Sequence, residues 1–419
     1  MYARSVRILD LALPSGAVAT DVYVQLARLH PDPLLPGLQQ MNIPTIADGS
    51  TDTLAPLFHC ITSTLSSVNI GIINGPKAEL LTTSFFSALA RDAGLRDLSI
   101  DARVRSEAID ILMNMPSVRN LKLSISSPIF QSNFSKLLNL PGVSSATINF
   151  SHAGSLVGTP PAIFGQLQSC NRLKAIRVAG NGDQIKQVFS ILPLLLGGIE
   201  DVDVFFQGPP YPTTFYAWQG APRTLRHLKL ETGQPPMPSL LLRELSPYSS
   251  NIVSLELKGF TLQATDADIL KICKTGNWAN LEILHLPCFE YPESVSIHIL
   301  SEISRWCPKL RSLYICVDVN RHDNDNMRKA ILANIERQTS HKLERLEITS
   351  VRPPKSTVFS LLAQYIDSVF PHINSLAAYG NGDGSYWDEI WHAVRCCQAW
   401  RAQLVLTPNS VTTGETASH

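Results

Sequence analysis

Leu225-Arg226-His227-Leu228-Lys229-Leu230, Ile252-Val253-Ser254-Leu255-Glu256-Leu257 and Leu281-Glu282-Ile283-Leu284-His285-Leu286 are three copies of one six-residue pattern, LxxLxL, and two more run from Leu310 to Ile315 and from Leu343 to Ile348. Looser or equal copies, with Ile, Val, Met or Ala admitted at the apolar positions, begin at Val6, Leu38, Leu65, Leu95, Val118, Val143, Leu173, Ile199 and Ile373. Fourteen copies therefore tile the chain at intervals of 23 to 33 residues, about 28 on average. Self-similarity at this period is the signature of leucine-rich repeats, whose units run from about 20 to 29 residues.

Each unit has a physical reading. Residues 4 and 6 of the pattern are apolar and flank a polar residue 5, as one face of a short strand requires. A helical apolar spacing follows in several units, for example Ile297, Leu300, Ile303 and Trp306, or Phe359, Leu362, Tyr365, Ile366 and Val369. Neither element buries its apolar side alone, so neighbouring units must stack. Strands pair about 4.8 Å apart while helices need about 8 to 10 Å, so the stack has to curve. The predicted fold is α/β: a leucine-rich-repeat solenoid of about 14 irregular repeats, a curved horseshoe with parallel strands concave and helices convex. It spans residues 1–406, with 381–406 as a C-terminal cap and 407–419 as a disordered Ser/Thr-rich tail. Pro116, Pro141, Pro308 and Pro371 each stand just before a strand, where proline ends a helix. Asn181 and Asn381, at the ninth position of their units, are expected to satisfy loop backbone groups from inside the turn.

Composition narrows the function class. The 419 residues carry 35 Lys+Arg against 35 Asp+Glu, and a neutral chain lacks the basic surplus of a general nucleic-acid binder. The 44% of hydrophobic residues supply a continuous core. Eight cysteines with no CxxC pair encode neither a disulfide framework nor a zinc module, which points to a reducing compartment, cytoplasmic or nuclear. The apolar stretch after Arg4 and Arg7 is broken by Asp10, Pro14 and Gly16 and makes a poor signal peptide. The longest apolar run, Ile191 to Ile199, is nine residues, well short of a membrane span.

Motifs of chemistry are few. The chain has no GxxxxGKS/T, GxSxG or HExxH and no GxGxxG after a strand, so no enzyme activity and no cofactor are expected. Gly380 to Gly384 reads as a tight turn rather than a phosphate cradle, having no following Lys. His322 to Asn326 lacks the Gly and Glu of a calcium loop and reads as a solvated cap for a helix beginning near Met327. Trp387, Trp391 and Trp400 fit an end cap over the last repeat better than an aromatic docking site. In the loop Gly208 to Gly220, which replaces a helix, Phe215, Tyr216 and Trp218 serve either as packing or as binding anchors.

Tyr2-Ala3-Arg4-Ser5-Val6-Arg7-Ile8-Leu9 is similar to a Tyr-Ala-x-x-Val-Arg-x-Leu segment, and Leu34-Leu35-Pro36-Gly37-Leu38 to a Leu-Leu-Pro-x-Leu segment, of the F-box/leucine-rich-repeat-like proteins of mushroom-forming fungi. The resemblance extends through the irregular repeats to about Trp400. It implies a substrate receptor of an SCF ubiquitin ligase, in which an F-box docks on the Skp adaptor of the cullin complex and the repeats bind the protein to be ubiquitinated. Here the sequence begins where that F-box would end. Skp and cullin are thus expected partners only if an F-box precedes Met1, and an F-box-less paralogue is the other form of the same expectation.

The function expected is non-catalytic protein–protein recognition, the alternative being a repeat protein that regulates a GTPase or another enzyme by direct binding. Strand alternation sends residues 3 and 5 outward when 4 and 6 face the core. The candidate partner contacts on this concave face are Lys122, Arg177, Asp201, Asp203, His227, Lys229, Glu256, His285, Tyr314, Arg345 and Glu347, with Trp218 on the neighbouring loop. Their mixed signs imply reading by local charge complementarity.

Overall fold

Fourteen strands of the main sheets, one for each sequence repeat, begin at its third residue, because that is where the alternation of buried and outward residues starts, and one further short strand there, Ile46–Ala47, pairs with Ile73 and Asn74. The architecture comes from a computed structural model, which describes the chain apart from residues 1–3, 11–24, 26–28, 30–32, 44–45, 48–54, 103–105, 126–127, 152–153, 158–171, 192–197, 209–223, 234–237, 240–250, 263, 276–277, 287–294, 322–323, 337–340, 351–352, 379–384 and 407–419. The chain divides into two units, Met1–Gln234 and Pro235–His419, each described by itself.

In the first unit nine repeat strands follow in chain order, β1 (Ile8–Asp10), β2 (Gln40–Ile43), β3 (Ser67–Asn74), β4 (Asp97–Ala102), β5 (Asn120–Ile125), β6 (Ser145–Phe150), β7 (Ala175–Gly180), β8 (Asp201–Phe206) and β9 (His227–Thr232), and the described residues add two-residue strands at Ile46–Ala47, Ile129–Phe130 and Leu156–Val157. All neighbours pair in parallel, and residue 3 of each repeat faces residue 3 of the next: Ile8, Gln40, Ser67, Asp97, Asn120, Ser145, Ala175, Asp201 and His227 lie in one register row. A backbone joint recurs at each step. The carbonyl of residue 2 accepts two N–H groups from the next repeat, as Arg7 O does from Gln39 N (2.8 Å) and Gln40 N (3.0 Å), and Glu200 O from Arg226 N (2.8 Å) and His227 N (2.9 Å). The helices behind the sheet are α1 (Pro76–Asp92), α2 (Ser106–Leu112), α3 (Gln131–Leu138) and α4 (Gly182–Ile191).

The second unit repeats the plan with β10 (Ser254–Lys258), β11 (Ile283–His285), β12 (Ser312–Val317), β13 (Arg345–Ser350) and β14 (Ser375–Ala378), again parallel with residue 3 against residue 3. Its helices are α5 (Asp266–Thr275), α6 (Ile299–Trp306), α7 (Asn324–Glu336), α8 (Phe359–Val369) and α9 (Ser385–Leu406). α9 packs on α8 and β14 and seats Trp387, Ile390 and Val394 in the core, while Trp400 stays exposed. α7 starts at Asn324, a turn earlier than Met327.

Residues 4 and 6 are buried in every unit from Leu38 to Leu343; Leu228, Leu230, Leu255, Leu257, Leu284, Leu286, Leu313 and Ile315 are each at most 1% exposed. Complete burial of one such side chain stabilises by about 1.5–3 kcal/mol, so this ladder is the main cohesive element of each unit. The expected helix faces are also inside, with Leu300, Ile303, Leu362, Tyr365, Ile366 and Val369 buried and Trp306 half-buried. Helices α2, α3, α6 and α8 end two to four residues ahead of Pro116, Pro141, Pro308 and Pro371.

One loop is built differently from expectation. Asn181 caps α4 from its start: its Oδ1 accepts Gln184 N (3.0 Å) while Gln184 Oε1 accepts Asn181 N (2.7 Å), a reciprocal capping pair. The interior of the turn is satisfied by Gln184, only 4% exposed, whose Nε2 donates to Ser151 O (2.9 Å) and to Gly154 O. Asn381 lies outside the described residues.

Candidate functional site

Because residues 4 and 6 are committed to the core, residues 3 and 5 of successive repeats form two rows on the opposite face of each sheet. In the first unit the outer row runs through Lys122, Thr147, Arg177, Asp203 and Lys229. Lys122 and Arg177 are exposed, as are Asp201 and His227 in the neighbouring row. Arg177 Nε donates to Asp203 Oδ2 at 2.9 Å, and Lys229 Nζ lies 2.8 Å from Glu231 Oε2 and 3.9 Å from Asp203 Oδ1. Asn120 Nδ2 donates to Asp97 Oδ1 at 2.6 Å further along. The charges interleave, so the face carries paired side chains rather than a field of one sign.

In the second unit the corresponding row is Glu256, His285, Tyr314 and Glu347. The imidazole of His285 stacks on the Tyr314 ring (centroids 4.8 Å apart, planes at 8°), and the Arg345 guanidinium lies over the same ring at 5.4 Å. Arg345 pairs with Glu347, and Glu256 with Lys258 at 2.8 Å. Burial, then the carboxylates of Glu347 and Glu256, push the Tyr314 hydroxyl above the ordinary tyrosine range, against Arg345 and Lys258. The ring therefore stays neutral as a flat, half-buried platform.

The structure corrects the outward assignment in one respect. His285 points to this face, yet it is 5% exposed because the Tyr314 ring covers it; Ser254, at residue 3 of its repeat, is buried to the same degree. Arg177, Asp203 and Lys229 come together as one cluster, and Glu256, His285, Tyr314, Arg345 and Glu347 as another. Lys122 joins neither, and Trp218, with Phe215 and Tyr216, lies outside the described residues, as does the glycine turn at 380–384. Glu231 and Lys258 complete the clusters and were not anticipated. Both stand at residue 7 of the repeat, so carrying the strand alternation two residues further would have found them.

Among the described residues, no three His, Cys, Asp or Glu side chains converge closely enough to hold a metal ion, and no helix is long and apolar enough to cross a membrane. The buried Cys60 thiol is pushed up to about 11 by burial. No protein-family model matches the chain, and no curated protein matches it.

Proposed function

We propose that the chain is a non-catalytic protein-recognition scaffold: a leucine-rich-repeat horseshoe whose concave strand face reads a partner protein. The observation that carries this is the division of labour within each repeat. Residues 4 and 6 hold the fold, while residues 3, 5 and 7 gather Arg177, Asp203, Lys229 and Glu231 in the first unit and Glu256, Lys258, Tyr314, Arg345 and Glu347 in the second. Exposed ion pairs contribute only about 0–1 kcal/mol to folding, so stability alone accounts poorly for this ordering. Arg and Tyr are also the side chains that anchor interfaces. In the resembling fungal proteins the corresponding role is substrate receptor of an SCF ubiquitin ligase, and an F-box-less paralogue would keep the same recognition face.

The test is charge reversal at Asp203, Lys229 and Glu256 together, with affinity capture from a cell extract compared between the unaltered and the reversed chain. Proteins captured by the unaltered chain should be depleted at least tenfold, with the melting temperature lowered by less than about 3 °C. Undiminished capture would move the binding surface to the helices or loops.

A further inference from the structure

The helix layer of the second unit contains a groove of about 500 Å³ between α5, α6 and α7, to which no strand residue contributes. Its polar lining is Asp266, His298, Ser301, Glu302 and Asn334; Leu270 and Ile299 supply apolar wall. Hydrogen positions in the adjoining network are fixed by chemistry. Ser368 Oγ donates to Tyr365 O at 2.8 Å, which uses its one hydrogen, so the Asn334 atom 3.3 Å away must be the donor Nδ2, which also reaches Ser301 Oγ at 3.3 Å. The Tyr365 hydroxyl donates to His298 O (3.3 Å), so the Ser301 hydroxyl, 2.8 Å from it, donates to Tyr365. The chain from Asn334 through Ser301 and Tyr365 to His298 thus runs one way.

That direction leaves Asn334 Oδ1 with no donor among the described residues, on a side chain only 5% exposed. Asn334 lines the groove. Asp266 takes Ser296 N (2.8 Å) and Ser296 Oγ (2.6 Å), and Glu302 Oε2 takes Trp306 Nε1 (3.3 Å). Neither carboxylate has a Lys or Arg partner among the described residues, Lys274 and Arg305 lying instead over the Trp306 ring at 5.8 and 5.4 Å; burial lowers the imidazole pKa of the neighbouring His298, outweighing Asp266, which favours its charged form. The groove therefore offers two negative charges and an amide oxygen. An occupant must bring N–H donors and positive charge. A bare metal ion fits poorly, since no three ligating side chains converge and one wall is aliphatic.

We infer that this groove binds a primary ammonium or guanidinium group on a short aliphatic stem, the cation meeting Glu302, Asp266 and Asn334 Oδ1 and the stem lying on Leu270 and Ile299. Calorimetric titration of the full chain at low salt with putrescine, agmatine and N-acetyl-lysine amide tests it. At least one probe should bind with a dissociation constant of roughly 1 mM. Glu302→Gln, which keeps an acceptor for Trp306, should weaken that binding about tenfold, the loss of one charge-assisted hydrogen bond. Ala333→Leu, which fills the groove, should abolish it. Binding of the diamines but not the lysine amide assigns a free polyamine, and the reverse assigns a lysine side chain of a partner. Charge reversal on the strand face should leave amine binding unchanged, so this site and the proposed recognition face fail separately. No heat with any probe at about 20 mM, or parental affinity in both variants, would overturn the inference.

Discussion

Replacing Gln184 by Leu removes three side-chain hydrogen bonds at nearly constant volume: from Asn181 N, and to Ser151 O and Gly154 O. Ser151 O keeps the Gly154 N–H at 3.0 Å, whereas Asn181 N and Gly154 O lose the partner they have among the described residues. The loop passes the strand end at Ile125 so closely that a Cβ at position 154 would collide with Ile125 O. Two stranded backbone groups at about 1–3 kcal/mol each, one of them half-open to water and both offset slightly by the apolar Leu, give a loss of about 2–4 kcal/mol. Urea denaturation followed by circular dichroism reads this as a lower midpoint with an unchanged slope. Gln184→Glu sharpens the test. Its carboxylate still accepts Asn181 N but faces two carbonyl oxygens, which disfavours the charged form and raises its folded pKa above the unfolded value of about 4.3. A raised pKa stabilises below the unfolded value and is lost as pH rises through the folded one, so the Glu variant should recover part of its deficit near pH 4. A Leu variant within about 0.5 kcal/mol of the parent would refute the assignment of Gln184 as the internal support of this turn.

Leu284→Asp places a carboxylate at a fully buried position of β11, and the second unit should lose several kcal/mol, read as a lower thermal midpoint; a surface-like loss under about 0.5 kcal/mol would contradict the ladder. His341 is buried with Nε2 2.9 Å from Cys307 O while Nδ1 accepts Leu343 N at 3.1 Å, so it is held as the neutral Nε2–H tautomer and burial lowers its pKa, against the hydrogen bond to Cys307 O. The unfolded chain then binds a proton that the folded chain refuses, and stability should fall as pH drops below about 6.5; His341→Asn should flatten that dependence, measured by denaturation between pH 7.5 and 5.

The strands were legible because their signal is local and redundant. Leu228 and Leu230, or Leu284 and Leu286, announce one face with a period of two, and the same spacing returning about 28 residues later aligns residue 3 with residue 3. The outward row was legible as a direction but not as an environment. His285 is covered by Tyr314, which comes 29 residues later and belongs to another strand, and nothing in the alternation of β11 reports the stacking. Asn181 misled for a related reason: whether a loop Asn caps a helix or fills a turn depends on where Gln184 sits in three dimensions, and Gln184 performs both tasks through its two amide ends. The groove left no trace in any motif, since its five polar residues come from three helices and the segment just before one of them, and their hydrogen-bond direction is set by Ser368 and Tyr365 on a fourth.

The paired N–H groups that each residue-2 carbonyl receives belong wholly to the main chain, so the joint between repeats is blind to which side chains it carries. Arg7, Gln39, Ser66, Arg96, Arg119, Ser144, Lys174 and Glu200 perform it interchangeably in the first unit, as do Val253, Glu282, Arg311 and Glu344 in the second. A lineage of such chains is therefore free to rewrite its outward residues without disturbing register, and whole repeats can be duplicated or excised through unequal recombination wherever the cut falls in the same phase. The uneven spacing of 23 to 33 residues fits such a joint: the seam is fixed, and the stretch between seams varies in length.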